Sequence, residues 1–273
     1  MSQFFLNSRA SAELAEQVIA ISHQMADVAR TVTLRYFRDA ALTADNKVGD
    51  GFDPVTEGDR ACERALREIV ENARPEDGFL GEEFGAKASR SGYTWVLDPI
   101  DGTRAFLAGA PTWGVLIAFC DTSGPLFGII DQPHIGERFV GGFGVATLSG
   151  PRGETPLRCR STRPLDQAIL FSTFPEIGTP AQRAAFERVS SQVKLTRYGM
   201  DCYAYGLLAL GQIDLVIEAG LNAYDILSPI AVIEAAGGIV TDWEGGPAHR
   251  GGTALAAATP EIHEAAMAQL QGR

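Results

Sequence analysis

The sequence predicts a layered α+β protein in which two sheets are flanked by helices. Three features carry that expectation. Two amphipathic helical patterns open the chain, a run of glycine-punctuated β-rich segments follows, and strand and helix patterns alternate beyond about residue 150. The length, 273 residues, suits one large domain or two coupled halves.

Residues 11–37 place Leu14, Val18, Ile21, Met25, Val28, Val32 and Tyr36 at steps of three and four, which predicts one long amphipathic helix. A loop from Thr43 to Pro54 holds Lys47, Asp50 and Asp53 among two glycines. Thr56-Glu57-Gly58-Asp59 then has the form of a capping box, opening a helix whose apolar face is Cys62, Leu66, Ile69 and Val70. After Arg74-Pro75 the periodicity changes, and 93–98, 112–120, 125–131 and 137–141 predict strands of a largely antiparallel sheet. The polar stretch Ser149 to Glu154 is the expected boundary between an N-terminal half, 1–150, and a C-terminal half, 151–273. Strands are then expected at 168–173, 193–197, 213–218, 238–242 and 253–258. Helices are expected at 180–191, 201–210 and 225–236, with a last one from Pro260.

Composition removes several function classes. A net charge of −11 argues against general nucleic-acid binding, which uses basic patches. No apolar run approaches the ~20 residues of a membrane span. The opening Met1 to Leu6 lacks a basic stretch before a long apolar core, so a cytoplasmic location is expected. Four scattered cysteines without a CxxC pair, and four scattered histidines, argue against a zinc site or a disulfide framework.

The densest chemistry lies in Trp95-Val96-Leu97-Asp98-Pro99-Ile100-Asp101-Gly102-Thr103. An apolar strand runs into Asp98, and a second carboxylate follows three positions on. On a regular strand those positions face opposite ways. Pro99 and Gly102 favour leaving the strand, and a turn then brings both carboxylates to one point. Two such charges ~4 Å apart repel by about 4 kcal/mol at an effective dielectric of 20. They protonate or share a cation, and oxygen ligands with no His or Cys nearby suit Mg2+ or Mn2+. The alternative is an Asx turn, in which Asp98 and Asp101 bond only nearby backbone. Gly81-Glu82-Glu83 is a second acidic pair, readable as a solvated turn. Asp225 reads as a helix cap, and Asp59 as the capping-box residue.

Taken together, Asp53-Pro54-Val55-Thr56-x-x-Asp59, Gly81-Glu82-Glu83, Trp95 to Thr103, and Tyr224-Asp225 with Gly237-Gly238 resemble the inositol monophosphatase superfamily. Order and approximate spacing agree from about residue 11 to 270. The resemblance implies an αβαβα sandwich of the inositol monophosphatase and fructose-1,6-bisphosphatase type. It also implies a Mg2+-dependent phosphomonoesterase with two to three ions, a homodimer and lithium sensitivity. Carried over residue by residue, Glu82, Asp98 and the Ile100 carbonyl hold a first ion. Asp98, Asp101 and Asp225 hold a second, and a third, looser ion sits near Glu82. Thr103, paired with Asp59, and Glu82 orient and deprotonate the attacking water, while the Gly102 and Thr103 amides grip the phosphate. Lys47 and Glu83 are further candidates beside them. Cations in an anionic pocket reconcile the overall acidity with a phosphate substrate.

Three further stretches, Arg104 to Gly114, Asp131 to Phe139 and Asp201 to Leu221, look more like the histidinol-phosphate phosphatase branch, which implies a place in histidine biosynthesis. By position, Asp201 and Glu218 line the leaving-group side. Histidinol phosphate brings a protonated amine and a partly protonated imidazole to them, whereas inositol brings neutral hydroxyls. Asp201 also reads as a cap of helix 201–210. Met200 stands where that branch has a small residue, so its thioether is expected to narrow the pocket or shift its selectivity. Hydrolysis of inositol-1-phosphate or of sugar phosphates broadly is the alternative within the class. A non-catalytic relative that kept the fold is the alternative outside it.

Overall fold

Ser11 starts helix α1 (Ala12–Thr33), its Oγ accepting the Leu14 N–H at 3.1 Å and satisfying one orphan donor of the first turn. The structure, a computed structural model, describes residues 11–46, 54–161 and 163–273. The first ten residues, and Lys47, Asp50 and Asp53, lie outside the described residues. The apolar pattern expected to extend α1 to residue 37 outlasts the helix, because the chain turns after Thr33 and Arg38 takes φ 63°. Phe37 packs against the Phe106 and Trp113 rings, with centroids 5.3 and 5.2 Å away. Its apolar character therefore serves a tertiary contact rather than the helix face.

Strands β1 (Ala44–Asn46) and β2 (Pro54–Thr56) form an antiparallel ribbon that feeds α2 (Glu57–Ala73). The capping box is present: Thr56 Oγ1 accepts the Gly58 N–H and Asp59 Oδ2 accepts the Thr56 N–H at 2.8 Å.

The first large sheet contains β3 (Gly78–Gly81), β4 (Gly85–Lys87), β5 (Thr94–Asp101) and β6 (Gly114–Asp121). It continues with β7 (Gly124–Gln132), β8 (Glu137–Gly142), β9 (Val145–Gly150) and β10 (Gly153–Pro156). Its order is β10-β9-β8-β7-β6-β5-β3-β4, and only the β3–β5 pair is parallel. The stretch expected as the boundary between halves is instead the turn between β9 and β10, and the sheet runs on to Pro156. A polar glycine-rich stretch has the same composition whether it reverses a hairpin or links two units, and here Gly153 at φ 96° makes the reversal.

A short helix α3 (Thr103–Ala108) separates β5 from β6. The second sheet holds β11 (Ile169–Ser172), β12 (Leu195–Tyr198), β13 (Leu215–Leu221), β14 (Ile239–Thr241) and β15 (Gly252–Ala257), in the order β12-β11-β13-β15-β14. Helices α4 (Pro180–Ser190), α5 (Tyr203–Ala209), α6 (Ala223–Ala235) and α7 (Pro260–Leu270) alternate with these strands as expected.

Period-two patterning decides the layers. Along β6, Val115, Ile117 and Phe119 pack with Met25 of α1 and Leu66 of α2, whereas Leu116 packs with Leu208 of α5 and Ile230 of α6. Along β13, Val216 joins that same middle core, while Leu215 and Ile217 meet Phe186 of α4 and Ile262 of α7. The architecture is thus helix pair, sheet, helix pair, sheet, helix pair, the αβαβα sandwich that the resemblance implied. Helix α6 lies close on the first sheet at two glycines. A Cβ on Gly128 would meet the Ser228 carbonyl oxygen at 2.6 Å, and one on Gly141 would overlap Val232 Cα. Arg30 and Arg138 both pair with the fully buried Asp131, tying α1 to β7 and β8. No helix among the described residues is long and apolar enough to cross a membrane, and all four cysteines are free thiols.

Candidate active site

The convergence of Asp98 and Asp101 is produced by a register break. Asp98 faces Leu116 and Asp101 faces Gly114, so β5 carries one residue more than β6 between these pairs. That bulge cancels the half-period that would set the two carboxylates on opposite faces. An Asx-type bond is also made, from the Ile100 N–H to Asp98 Oδ1 at 3.0 Å. Asp98 thus makes the local bond of an Asx turn, whereas Asp101 Oδ2 accepts the N–H of Cys202, distant in sequence, at 2.7 Å. Gly102 ends the strand at φ 83°, and α3 begins at Thr103.

The third carboxylate arrives from the other side of the fold. Asp225 sits in the first turn of α6 and accepts the Asn222 N–H on Oδ2 at 2.6 Å; the N-cap is Asn222 rather than Asp225, which closes the capping box from the third helical position. Asp98, Asp101 and Asp225 each offer an oxygen, all within 4.8 Å of one another. Asp98 is buried and the other two are half-buried. Burial pushes all three carboxyls up. Glu82, Asp101 and Asp225 add their negative charges at Asp98, while Asp201 and Asp225 do so at Asp101. Glu82, in the turn after β3, lines the same pocket. Buried oxygen ligands crowded by like charges fit a hard divalent cation, so the residues present match the metal site the resemblance implied.

The candidate catalytic pair is placed differently from expectation. Thr103 Oγ1 donates to the Ile100 carbonyl at 3.1 Å, not to Asp59. Asp59 uses Oδ2 for the Thr56 amide and hydroxyl, while its Oδ1 is buried without a hydrogen-bond partner. Desolvation raises its carboxyl to about 6, with the Glu82 charge adding to the rise. The capping role and a free buried oxygen thus coexist on one side chain.

Asp201 and Glu218 both line the pocket. Asp201, at φ 47°, does not cap α5; its Oδ2 accepts the Thr112 hydroxyl at 3.0 Å. Its carboxyl is pushed up by burial, and the Thr112 bond and the nearby Arg104 charge act the other way. The Gly102 Cα faces this carboxylate so closely that a Cβ there would lie 2.7 Å from Asp201 Cγ. Glu218 on β13 accepts the Thr173 N–H at 2.6 Å and the Thr173 hydroxyl at 2.8 Å. Burial still raises its carboxyl to about 8.

Two further expectations from sequence fare differently. Met200 packs into the middle core and does not line the pocket, whereas its neighbour Asp201 does. Glu83 is also absent from the pocket wall; its N–H is bonded beneath the turn and its charge acts on Arg60. Sequence reasoning assigned no role to Arg104, Thr173, Phe174 and Tyr205, which also line the wall. The Arg104 guanidinium lies 4.9 Å from the Phe174 ring centroid, and Tyr205 carries a buried hydroxyl with no partner. An aromatic residue directly after the expected strand 168–173 was an available signal for Phe174.

Comparison with known proteins agrees with this construction. A family model described as the inositol monophosphatase family matches residues 14–273. The bifunctional phosphatase IMPL2, chloroplastic, of Arabidopsis thaliana is 42% identical over 233 residues, covering 84% of this chain and 65% of that protein, so the chain spans under two thirds of that relative. A histidinol-phosphatase of Mycobacterium tuberculosis is 33% identical over 85% of this chain and 90% of its own length. Among solved structures, an inositol monophosphatase from Zymomonas mobilis superposes with a TM-score of 0.84 at 39% identity, covering 96% of this chain and 100% of that one. Fold, carboxylate cluster and relatives define a metal-dependent phosphoric monoester hydrolase. The chain belongs to the inositol monophosphatase family, with histidinol-phosphatases among its relatives.

Proposed function

We propose that the chain hydrolyses L-histidinol phosphate to L-histidinol and phosphate, using Mg2+ held by Glu82, Asp98, the Ile100 carbonyl, Asp101 and Asp225. The observation that carries the substrate is the pairing of Asp201 and Glu218 on the pocket wall beyond the cation ligands. Asp201, together with Glu218 in its ionised form, complements the amine and imidazole of histidinol, and a neutral polyol gains less from them. Bound divalent cations supply charge neutralisation at the phosphate and a lowered pKa for water. The chain's own residues position and move protons. Glu82 accepts the proton of the attacking water, and Asp59, whose buried Oδ1 is unpartnered, backs the Thr103 hydroxyl. Thr103 orients that water through its hydroxyl, and the Gly102 and Thr103 amides take the phosphate oxygens. A homodimer, a cytoplasmic location and inhibition by lithium belong to the same reading.

The competing substrate is inositol-1-phosphate, favoured by the 39% identity to an inositol monophosphatase. Measuring kcat/KM for both esters side by side, with and without Mg2+, separates them. A hundredfold preference for histidinol phosphate, about 2.7 kcal/mol of transition-state discrimination, is the expected result. Comparable values would defeat the substrate assignment and leave the metal chemistry standing. Silence on both would point to another ester or to a relative that has lost catalysis.

Glu218 also predicts a pH signature. Its carboxyl is raised to about 8, so it is largely neutral at pH 6.5 and ionised at pH 9. Glu218→Gln mimics the neutral form. The KM of wild type and variant for a cationic ester should therefore coincide at low pH and separate as pH rises through about 8. A constant ratio across that range would remove Glu218 from recognition of the leaving group.

A further inference from the structure

Glu63 lies on α2 one turn beyond Asp59 and does not line the pocket, yet its side chain is fully buried at 0% exposure. Oε2 accepts the Glu83 N–H at 2.7 Å. Oε1 accepts the Phe84 N–H at 3.1 Å and the Arg67 Nε–H at 2.9 Å. A carboxylate taken out of water is costly unless its bonds are filled. Here the filling donors are Arg67 and two amides of the turn between β3 and β4, the turn that carries Glu82.

Neighbouring residues reinforce the arrangement. Arg67, also on α2, reaches past the carboxylate to donate to the Gly85 carbonyl on the far side of that turn. Its guanidinium lies over Phe79 of β3, 4.2 Å from the ring centroid. At Gly81, a Cβ would overlap Glu63 Oε1, so only glycine admits the carboxylate beneath the strand end. Residues four apart share one face of a helix. Asp59 and Glu63 are so spaced, and the Glu82 charge is felt at Asp59.

We propose that Glu63 is a positioning residue for the cation site: it fixes the turn bearing Glu82 and, through the rigid α2, fixes Glu82 relative to Asp59. The proposal rests on Glu82 as a cation ligand. Partners that orient a ligand typically cost 10–100-fold in metal affinity when removed. In Glu63→Gln, the amide group presents donors to backbone donors and leaves Arg67 without its counter-charge.

The test is Mn2+ binding, by titration calorimetry and by the electron paramagnetic resonance signal of free Mn2+, on the full wild-type chain, E63Q and E82Q. Mg2+ dependence of turnover is measured alongside. E63Q is expected to bind Mn2+ about tenfold more weakly and to raise half-saturating Mg2+ by a similar factor, with kcat at saturating Mg2+ within about twofold of wild type. A merely structural role would lower the melting temperature and leave the Mn2+ affinity unmoved, and that result overturns the proposal. Wild-type affinity in E82Q would instead overturn the ligand reading on which it rests. If E63Q does not fold, R67M is used, which keeps both amide bonds and removes only the arginine arm. A two- to fivefold weaker Mn2+ affinity in R67M supports the proposal, and an unchanged one overturns it.

Discussion

Replacing Asp98 by Asn is expected to lower kcat by at least about 10³-fold, roughly 4 kcal/mol of barrier, while raising the melting temperature of the metal-free protein. The two effects have one origin. Asp98 is buried against Glu82, Asp101 and Asp225, and its carboxyl is pushed well up by desolvation and then by their charges. A carboxyl raised in the folded state binds its proton more tightly there than in the unfolded chain. Stability therefore falls as pH rises above the ordinary carboxylate value near 3.9. The Asp98→Asn variant escapes that loss, so in chelator its advantage should be absent at about pH 3.5 and should grow toward neutrality. Added Mg2+ stabilises wild type by binding the folded state alone, and the substitution removes the charge that the cation would share. Wild-type turnover in the variant would refute the shared-ligand role. A lower melting point in chelator at pH 7 would refute the electrostatic account.

Gly141→Val should be strongly destabilising although it lies outside the pocket. Its Cβ would overlap Val232 Cα and lie 2.6 Å from the Ala231 carbonyl oxygen. Both are backbone atoms of α6, which cannot swing away as a side-chain tip can. Overpacking of this kind costs about 3 kcal/mol, or roughly 6–12 °C in a domain of this size, and Asp225 moves with the displaced helix. Gly144→Ala is the control. Gly144 is left-handed, at φ 81°, but has nothing within 4 Å of its Cβ position. It should cost only the backbone penalty of about 1–2 kcal/mol. Thermal unfolding of the two variants reads the contrast directly, and equal losses would show that the approach of α6 is not what Gly141 serves.

The elements of the second sheet and their intervening helices were legible because their periods differ, and a cap marks the start of some of them, as Thr179 and Pro180 do for α4. The hairpin at Ser149 to Glu154 was not, because turn chemistry records a reversal without recording which sheet receives the returning strand. The same limit applies at the site. The spacing of Asp98 and Asp101 announced two carboxylates, but what turns them to one side is the register of β5 against β6, a relation between two segments that neither contains. Asp59 announced its cap, whereas its unpartnered Oδ1 depends on what lies opposite in space. Glu63 escaped notice altogether. On α2 it looks like an ordinary solvated glutamate, and only the arrival of residues 83 and 84 above it makes it buried and bonded.

The position of α6 has a consequence for how the protein matures. Its N-terminal turn delivers Asp225 from the layer between the two sheets, while Asp98 and Asp101 come from the first sheet. On the ribosome the first sheet is complete long before Asp225 has been made. Its acidic residues then face a half-built surface, without the helix that closes the cluster. With the proposed ligand set, the cation site is complete only once α6 has been made and has docked between the two sheets.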